Sequence, residues 1–257
     1  AVPFLQIEPD SRAAGMGNAG VAVADNAYAV FWNPAGLGRQ EGSEVSFTHA
    51  PWLPALGADL SYEYLVGKHN FGSAGTVGGH LTYFNLGEQT RTDASGNNLG
   101  TFRSYELAAG LSYGVEVLDG LSVGAGGRFV YSSLTGNSTV AGSGTFPGKT
   151  FGFDLGALYE APTLPLAGGA TPSLGFSLAN VGPGISYSDN GLSDAIPTTF
   201  RLGGALDTQL DQFNRINVAL DVNKVLVARD SMGNYDSPIQ AIFSSWGARE
   251  INTAPED

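Results

Sequence analysis

The sequence of 257 residues contains no cysteine, so a disulfide scaffold and a thiolate metal centre are both excluded. Charge is scarce as well. Only 14% of the residues are Asp, Glu, Lys or Arg, against roughly 25% in ordinary soluble domains. Lys and Arg together number 12 against 24 acidic residues, and the net charge of −12 speaks against a nucleic-acid partner, which needs a basic face. The three histidines, His49, His69 and His80, are scattered without an HExxH-like spacing, so no metal site is expected. No apolar run approaches the roughly 18 to 20 residues of a membrane helix. A membrane protein of this sequence could therefore span only as a β-barrel, because backbone polar groups in lipid must pair internally. No signal peptide is visible, and Ala1-Val2-Pro3 suits a mature N-terminus left after cleavage.

What the chain does have is glycine, 37 of them, and 11% aromatics. Such a mixture suits strands with one face in lipid and the other in a lumen, and a soluble Gly-rich β-sandwich fits the composition equally. Residues 1–42 are rich in Ala and Gly and show no sustained two-residue alternation, which predicts a compact segment of short helical turns. From Ser43 the two-residue period of strands takes over. In GADLSYEYLVG, Leu60, Tyr62, Tyr64 and Val66 share one face and Asp59, Ser61 and Glu63 the other. In KTFGFDLGALYE, Phe151, Phe153, Leu155, Ala157 and Tyr159 oppose Gly152, Asp154, Gly156 and Glu160. About nine strands are predicted, at 43–50, 58–67, 74–86, 102–116, 121–133, 149–160, 172–181, 198–207 and 214–226.

The connections separate barrel from sandwich. Those after the second, fourth and eighth strands are short, and those after the third, fifth and seventh are longer and polar. Two blur the pattern, PWLPALG being short and APTLPLAGGAT longish. Short turns at one rim and long loops at the other are what outer-membrane barrels show. The strict alternation expects Leu111, Tyr113, Val123, Phe129, Phe153, Leu155, Phe176 and Val218 to face lipid. Tyr83, Phe84, Tyr113, Tyr131, Tyr159 and Phe151 cluster near strand ends, as an interfacial girdle would. The polar face carries Glu63, Glu106, Arg128, Asp154, Arg201 and Asp221, besides His80, and these read as lumen charges that pair with each other or with the N-terminal segment. Asp10 and Arg12 are candidates to pair with Arg128 or Glu106.

The run ADNAYAVFWNPAGL resembles the N-terminal hatch signature of FadL-like outer-membrane proteins, with the Asn-Pro-Ala of that signature on Asn33, Pro34 and Ala35. The longer opening PFLQIEPDSRAAGMGNAGVAVADNAYAVFWNPAGL is similar to that of the PorV family of the type IX secretion system. INVALDVNKVLV, followed by SPIQAIFSSW, resembles a strand of that family and the extracellular segment after it. The resemblance implies an all-β transmembrane antiparallel barrel of about 14 strands. Residues 1–42 would be a plug inside it, and 43–257 a barrel lacking its C-terminal strands. Gly15, Gly17 and Gly20 would then turn the plug within a narrow lumen. The plug is expected to start in the periplasm, so that the first strand runs outward and the segment after the ninth lies outside the cell. Pro238, Phe243 and Trp246 suggest a short packed element there.

The resemblance also implies a role. PorV-like proteins associate with the secretion translocon, take up secreted cargo by its C-terminal domain and deliver it to the surface attachment machinery. Here the cargo surface would be the loops 87–101, 134–148, 182–197 and 227–257. Outer-membrane lipid or lipopolysaccharide is an expected neighbour, and no cofactor is expected. The alternative is FadL-type transport of a hydrophobic small molecule, with Phe4, Leu5, Ile7, Met16, Phe31 and Trp32 as a candidate pocket lining. Lipopolysaccharide deacylation has been linked to some PorV-like proteins, but there is no GxSxG and no anchored triad, so no enzyme is expected.

Overall fold

The computed structural model describes residues 1–246 apart from 57–58, 135–138, 141–142, 145, 166–168, 189–192 and 229–234. Nine strands form one antiparallel sheet in which each pairs with its neighbours in sequence. They are β1 (Ser43–Pro51), β2 (Ser61–Asn70), β3 (Thr76–Thr92), β4 (Asn98–Leu118), β5 (Leu121–Ser133), β6 (Gly148–Glu160), β7 (Ala170–Val181), β8 (Thr199–Gln209) and β9 (Arg215–Val225). A minor hairpin pairs Thr139–Val140 with Ser143–Gly144 in the connection after β5. Each predicted strand is present.

The sheet curls into a half-barrel whose edges are β1 and β9. The curvature follows from what it wraps. Glu44 on β1 accepts the Ala27 N–H at 2.9 Å, and Asp221 on β9 accepts the Gly20 N–H at 2.7 Å, so both edges reach the same N-terminal segment. Register shifts at Asn85/Glu88, Glu116/Leu118 and Phe153/Leu155 add local bends. Because the topology is a simple meander, the connections sort by rim. Residues 71–75, 119–120, 161–169 and 210–214 lie at one, and 52–60, 93–97, 134–147 and 182–198 at the other. The loop expected at 87–101 is mostly strand: β3 and β4 continue past the neighbouring strands as a hairpin with its tip at 93–97. There the Asp93 carboxylate takes hydrogen bonds from the Asn97 side chain and the Asn97 and Ser95 backbone, which hold it below the usual carboxylate range.

Alternation separates the two faces. Leu111, Tyr113, Val123, Phe129, Phe153, Leu155, Phe176 and Val218 all stand exposed on the convex side. Tyr83, Tyr105 and Tyr131 line up across β3 to β5 with ring centroids 5.8 Å apart at each step, and Lys149 lies 5.9 Å from the Tyr131 centroid. Tyr113 and Tyr159 stand near the other rim, and the Tyr113 hydroxyl donates to Ala74 O at 2.7 Å. Along β4, Tyr105 and Tyr113 are about 26 Å apart, which at a barrel strand's tilt spans about 20 Å of height, most of the roughly 25 Å apolar band of outer-membrane barrels.

Two face assignments are corrected. Phe84 points inward, where it pairs with Trp52 at 5.5 Å and Tyr62 at 6.2 Å, so it is not part of the outer girdle. Glu63 is not an inward charge. Tyr62, Tyr64 and Val66 take the concave face of β2, and Glu63 pairs on the convex side with His49, its direct cross-strand partner, at 2.7 Å. The tyrosines suit the inside because they fill volume and still offer a hydroxyl; that of Tyr62 donates to Ile7 O at 3.2 Å.

The faces can be tested on one strand. A Cβ at outward Gly127 would meet the Phe153 ring at an ordinary 3.6 Å, whereas one at inward Gly124 would run into the Pro34–Ala35 backbone. Gly124→Val should lower stability by about 1–3 kcal/mol and Gly127→Val by much less, as read from urea midpoints of refolded protein. Equal effects at the two positions would contradict the assigned faces.

Candidate functional site

The concave face is occupied by residues 1–42. Ala1 lies at the rim of the long connections, where its amino group donates to Ala195 O at 2.8 Å. The segment then descends to Arg39, which forms an ion pair with Glu160 at the other rim, beside the start of β1. The expectation that this segment starts at the short-turn side is therefore corrected, while β1 still rises from that side.

Little regular structure is available to such a segment. It contains a 3₁₀ turn at Pro3–Gln6, α1 (Ser11–Gly15), α2 (Ala29–Trp32) and a second 3₁₀ turn at Pro34–Arg39. Elements this short leave most of their end groups without internal partners. The sheet supplies the partners from its side chains. Thr48 on β1 donates to Pro9 O at 2.8 Å, and Thr76 on β3 donates to Gln40 O at 3.2 Å. Ser173 on β7 donates to Ala22 O at 2.9 Å, Arg201 on β8 to Phe31 O at 2.8 Å, and Asp221 on β9 also accepts the Val21 N–H at 2.9 Å. The Arg201 guanidinium lies 4.9 Å from the Phe31 ring centroid and 5.5 Å from that of Trp32, so cation–π contacts hold the same turn.

Asn33 joins three pieces. Its Oδ1 accepts the Ala35 N–H at 3.1 Å, which starts the second 3₁₀ turn, and Pro34 follows at a position that needs no N–H. Its Nδ2 donates to Val21 O and to Ala157 O on β6, each at 3.0 Å. The residue is fully buried. Pro34 and Ala35 lie over a row of directly paired inward glycines, Gly114, Gly124 and Gly156. A Cβ on Gly114 would sit 2.5 Å from Pro34 O, and one on Gly156 would meet Asn33 Oδ1. The row is a flat track on which the backbone of Asn33, Pro34 and Ala35 rests.

The remaining expected residues are placed as follows. Gly17 alone of Gly15, Gly17 and Gly20 has a positive φ, +73°, next to Asn18 at +63°. Gly15 ends α1, and Gly20 lies so close under Trp32 that a Cβ would be 2.5 Å from its ring. Glu106, Arg128, Asp154 and Arg201 are buried on the inward face, and Asp221 is partly buried there. Arg128 pairs with Asp154, whose other oxygen accepts the Asn180 N–H at 2.8 Å, and Glu106 accepts from Ser132 at 2.7 Å. With those charges already partnered, Asp10 and Arg12 act locally: Asp10 caps α1 through Arg12 N at 3.0 Å, and Arg12 pairs with Asp25.

The 182–198 connection also departs from expectation. Its described residues turn inward and bury Ile185 and Ile196 in the same apolar cluster as Val2, Phe4, Leu5 and Trp32. Tyr187 donates to Ser132 Oγ at 3.0 Å. Phe4, Leu5, Phe31 and Trp32 are thus packing residues; Ile7 is only partly buried and Met16 lies at the end of α1. Among the described residues no group of His, Cys, Asp or Glu could hold a metal ion.

A family model described as the type IX secretion system protein PorV matches residues 1–231. The chain belongs to the PorV family. That match spans the N-terminal segment and all nine strands. No curated protein matches the chain. The family makes it a component of the type IX secretion system, and an outer-membrane location agrees with a strand-built, outwardly apolar sheet.

Asn33 yields a sharp test because only an amide carries the needed acceptor and donors together. Asn33→Asp should retain the turn but lose both donated bonds and place a charge against two carbonyls, costing about 3 kcal/mol or more. Asn33→Ala should cost somewhat less. Chemical denaturation with segment-specific proteolysis as a second readout would measure both, and an Asp variant as stable as the parent would refute this account of the residue.

Proposed function

We propose that this chain is an outer-membrane barrel of the type IX secretion system that binds secreted cargo at its long-loop rim and carries it from the translocon to the surface attachment machinery. The observation that carries the reading is the PorV family match over residues 1–231. A filled interior supports it. Residues 1–42 serve as a plug, with Asn33, Pro34 and Ala35 as the hatch motif, and a concavity of about 640 Å³ between Val45, Leu65, Leu81 and Leu111 lies on the convex face, outside the space the plug occupies. With the concave side filled, the rims are the surfaces left for protein partners.

The rim offered to cargo consists of the projecting hairpin around 93–97, the connection 134–147 and that part of the segment after β9 that does not pack along the outward wall. Parts of these expected cargo loops, including all of 229–234 and 247–257, lie outside the described residues. The capping connection 182–198 contributes less, because its isoleucines are committed to the core. The translocon, secreted cargo proteins and outer-membrane lipid are the partners of this reading, and the role is non-enzymatic. Lipid contact falls on the exposed strand residues, so Leu155→Arg should weaken refolding into vesicles by about 2–4 kcal/mol; an unchanged value would place β6 away from lipid.

Isolation from membranes in mild detergent tests the role. A large translocon subunit or proteins sharing a C-terminal domain should accompany the chain, and fatty acid bound in their stead would favour FadL-type transport. With Ser95→Cys at the hairpin tip, an impermeant thiol reagent should label intact cells. Labelling only after permeabilisation would invert the topology and remove the cargo assignment.

A further inference from the structure

After β9 the chain forms α3 (Pro238–Ser244), a helix with an unusual surface for a loop element. Ile239 is 70% exposed, Phe243 78% and Trp246 56%. Their spacing of four and then three places them on one side. The other side carries Ala241, buried to 2% exposure in a crevice shared with Leu226 and Ile196. The turn is well fixed. Ser237 and Gln240 form a capping box, Ser244 bonds Asp236, and Trp246 Nε1 donates to Ile242 O at 2.8 Å.

Its place on the sheet decides what it meets. The Trp246 ring stands edge-on to Phe200 at 5.5 Å, and Lys224 lies 5.1 Å from its centroid. Phe200 and Lys224 are direct cross-strand partners on the outward face of β8 and β9, at the long-loop rim. Phe200 in turn packs on Phe176 at 5.7 Å. An aromatic path therefore runs from the outward wall of the sheet, through Phe176 and Phe200, to Trp246 and the apolar side of α3.

We infer that α3 and Trp246 form a foot lying in the headgroup and upper acyl region of the outer leaflet. The inference rests on the membrane-barrel reading above. The occupant is lipid because the apolar side is continuous with the outward wall and not with the top of the rim, where a protein partner would approach. A tryptophan backed by a lysine at the end of a spanning strand is suited to that depth: the ring prefers the interface, and the ammonium reaches phosphate while its stem stays apolar.

Because the native sequence has no cysteine, single thiols report cleanly. Phe243→Cys and Ile239→Cys, each carrying a nitroxide, are reconstituted as full chains in liposomes. Leu111→Cys on the outward wall and Ser95→Cys at the hairpin tip serve as deep and aqueous references. Both α3 labels should be relaxed more by oxygen than by a water-soluble nickel complex, at a depth between the references. A Leu111 label in lipid with α3 labels as aqueous as that at Ser95 overturns the inference alone. Labels on α3 shielded from both reagents overturn it too, in favour of protein contact. A Leu111 label in water removes the barrel reading and this inference with it.

Discussion

The structure turns on the need to satisfy an irregular backbone in a place where water cannot. Buried peptide groups without partners are rare because each costs free energy comparable to a lost hydrogen bond. The strands use most of their own N–H and C=O groups in the ladder, so it falls mainly to their side chains to serve the 42 residues they enclose, with Ala157 O on β6, which accepts from Asn33, as a backbone exception. Asp221 and Glu44 accept, Arg201, Thr48, Thr76 and Ser173 donate, and Asn33 does both from within the segment. The mixture of signs and small hydroxyls on the inner face follows from that demand. So does the glycine row at 114, 124 and 156, since a backbone resting on a sheet requires positions without Cβ.

The convex half of the fold was legible from the sequence. Alternation located the nine strands of the main sheet but not the minor hairpin at 139–144, and on β4 to β9 the polar, glycine-rich side identified itself as the inner one. It failed on β2 because a period of two defines two faces without saying which is inside. Tyr62 and Tyr64 are amphipathic enough to line the interior, and Glu63 finds His49 on the convex side. The course of residues 1–42 could not be read, since its contacts are set by tertiary partners far away in sequence and not by any local period. Glycine signalled turns where, at Gly20, it supplies space for Trp32. The inward fold at 182–198 did leave a trace: Ile185 and Ile196 are β-branched apolar residues near the two ends of a largely polar stretch, and both are buried.

The PorV family match begins with the segment that packs on the concave face. The segment that fills the half-barrel is packed, hydrogen-bonded and tied at both rims, by Ala1 to Ala195 and by Arg39 to Glu160. Moving it would expose Phe4, Trp32 and the buried Arg201 together. The hairpin formed by the ends of β3 and β4, which projects beyond the wall, could be altered without such losses.

The bond from Gly20 to Asp221 joins residues 201 positions apart. Contacts of such long range form late, because the intervening chain must be ordered before they are rewarded. Here the intervening chain is the wall itself, laid down strand by strand around a segment made first. The N-terminal residues thus have the place of a mandrel, and the amides of Gly20 and Val21 meet the Asp221 carboxylate across all the strands between them. A one-residue slip of β9 would turn that carboxylate to the convex face and leave the two amides without it.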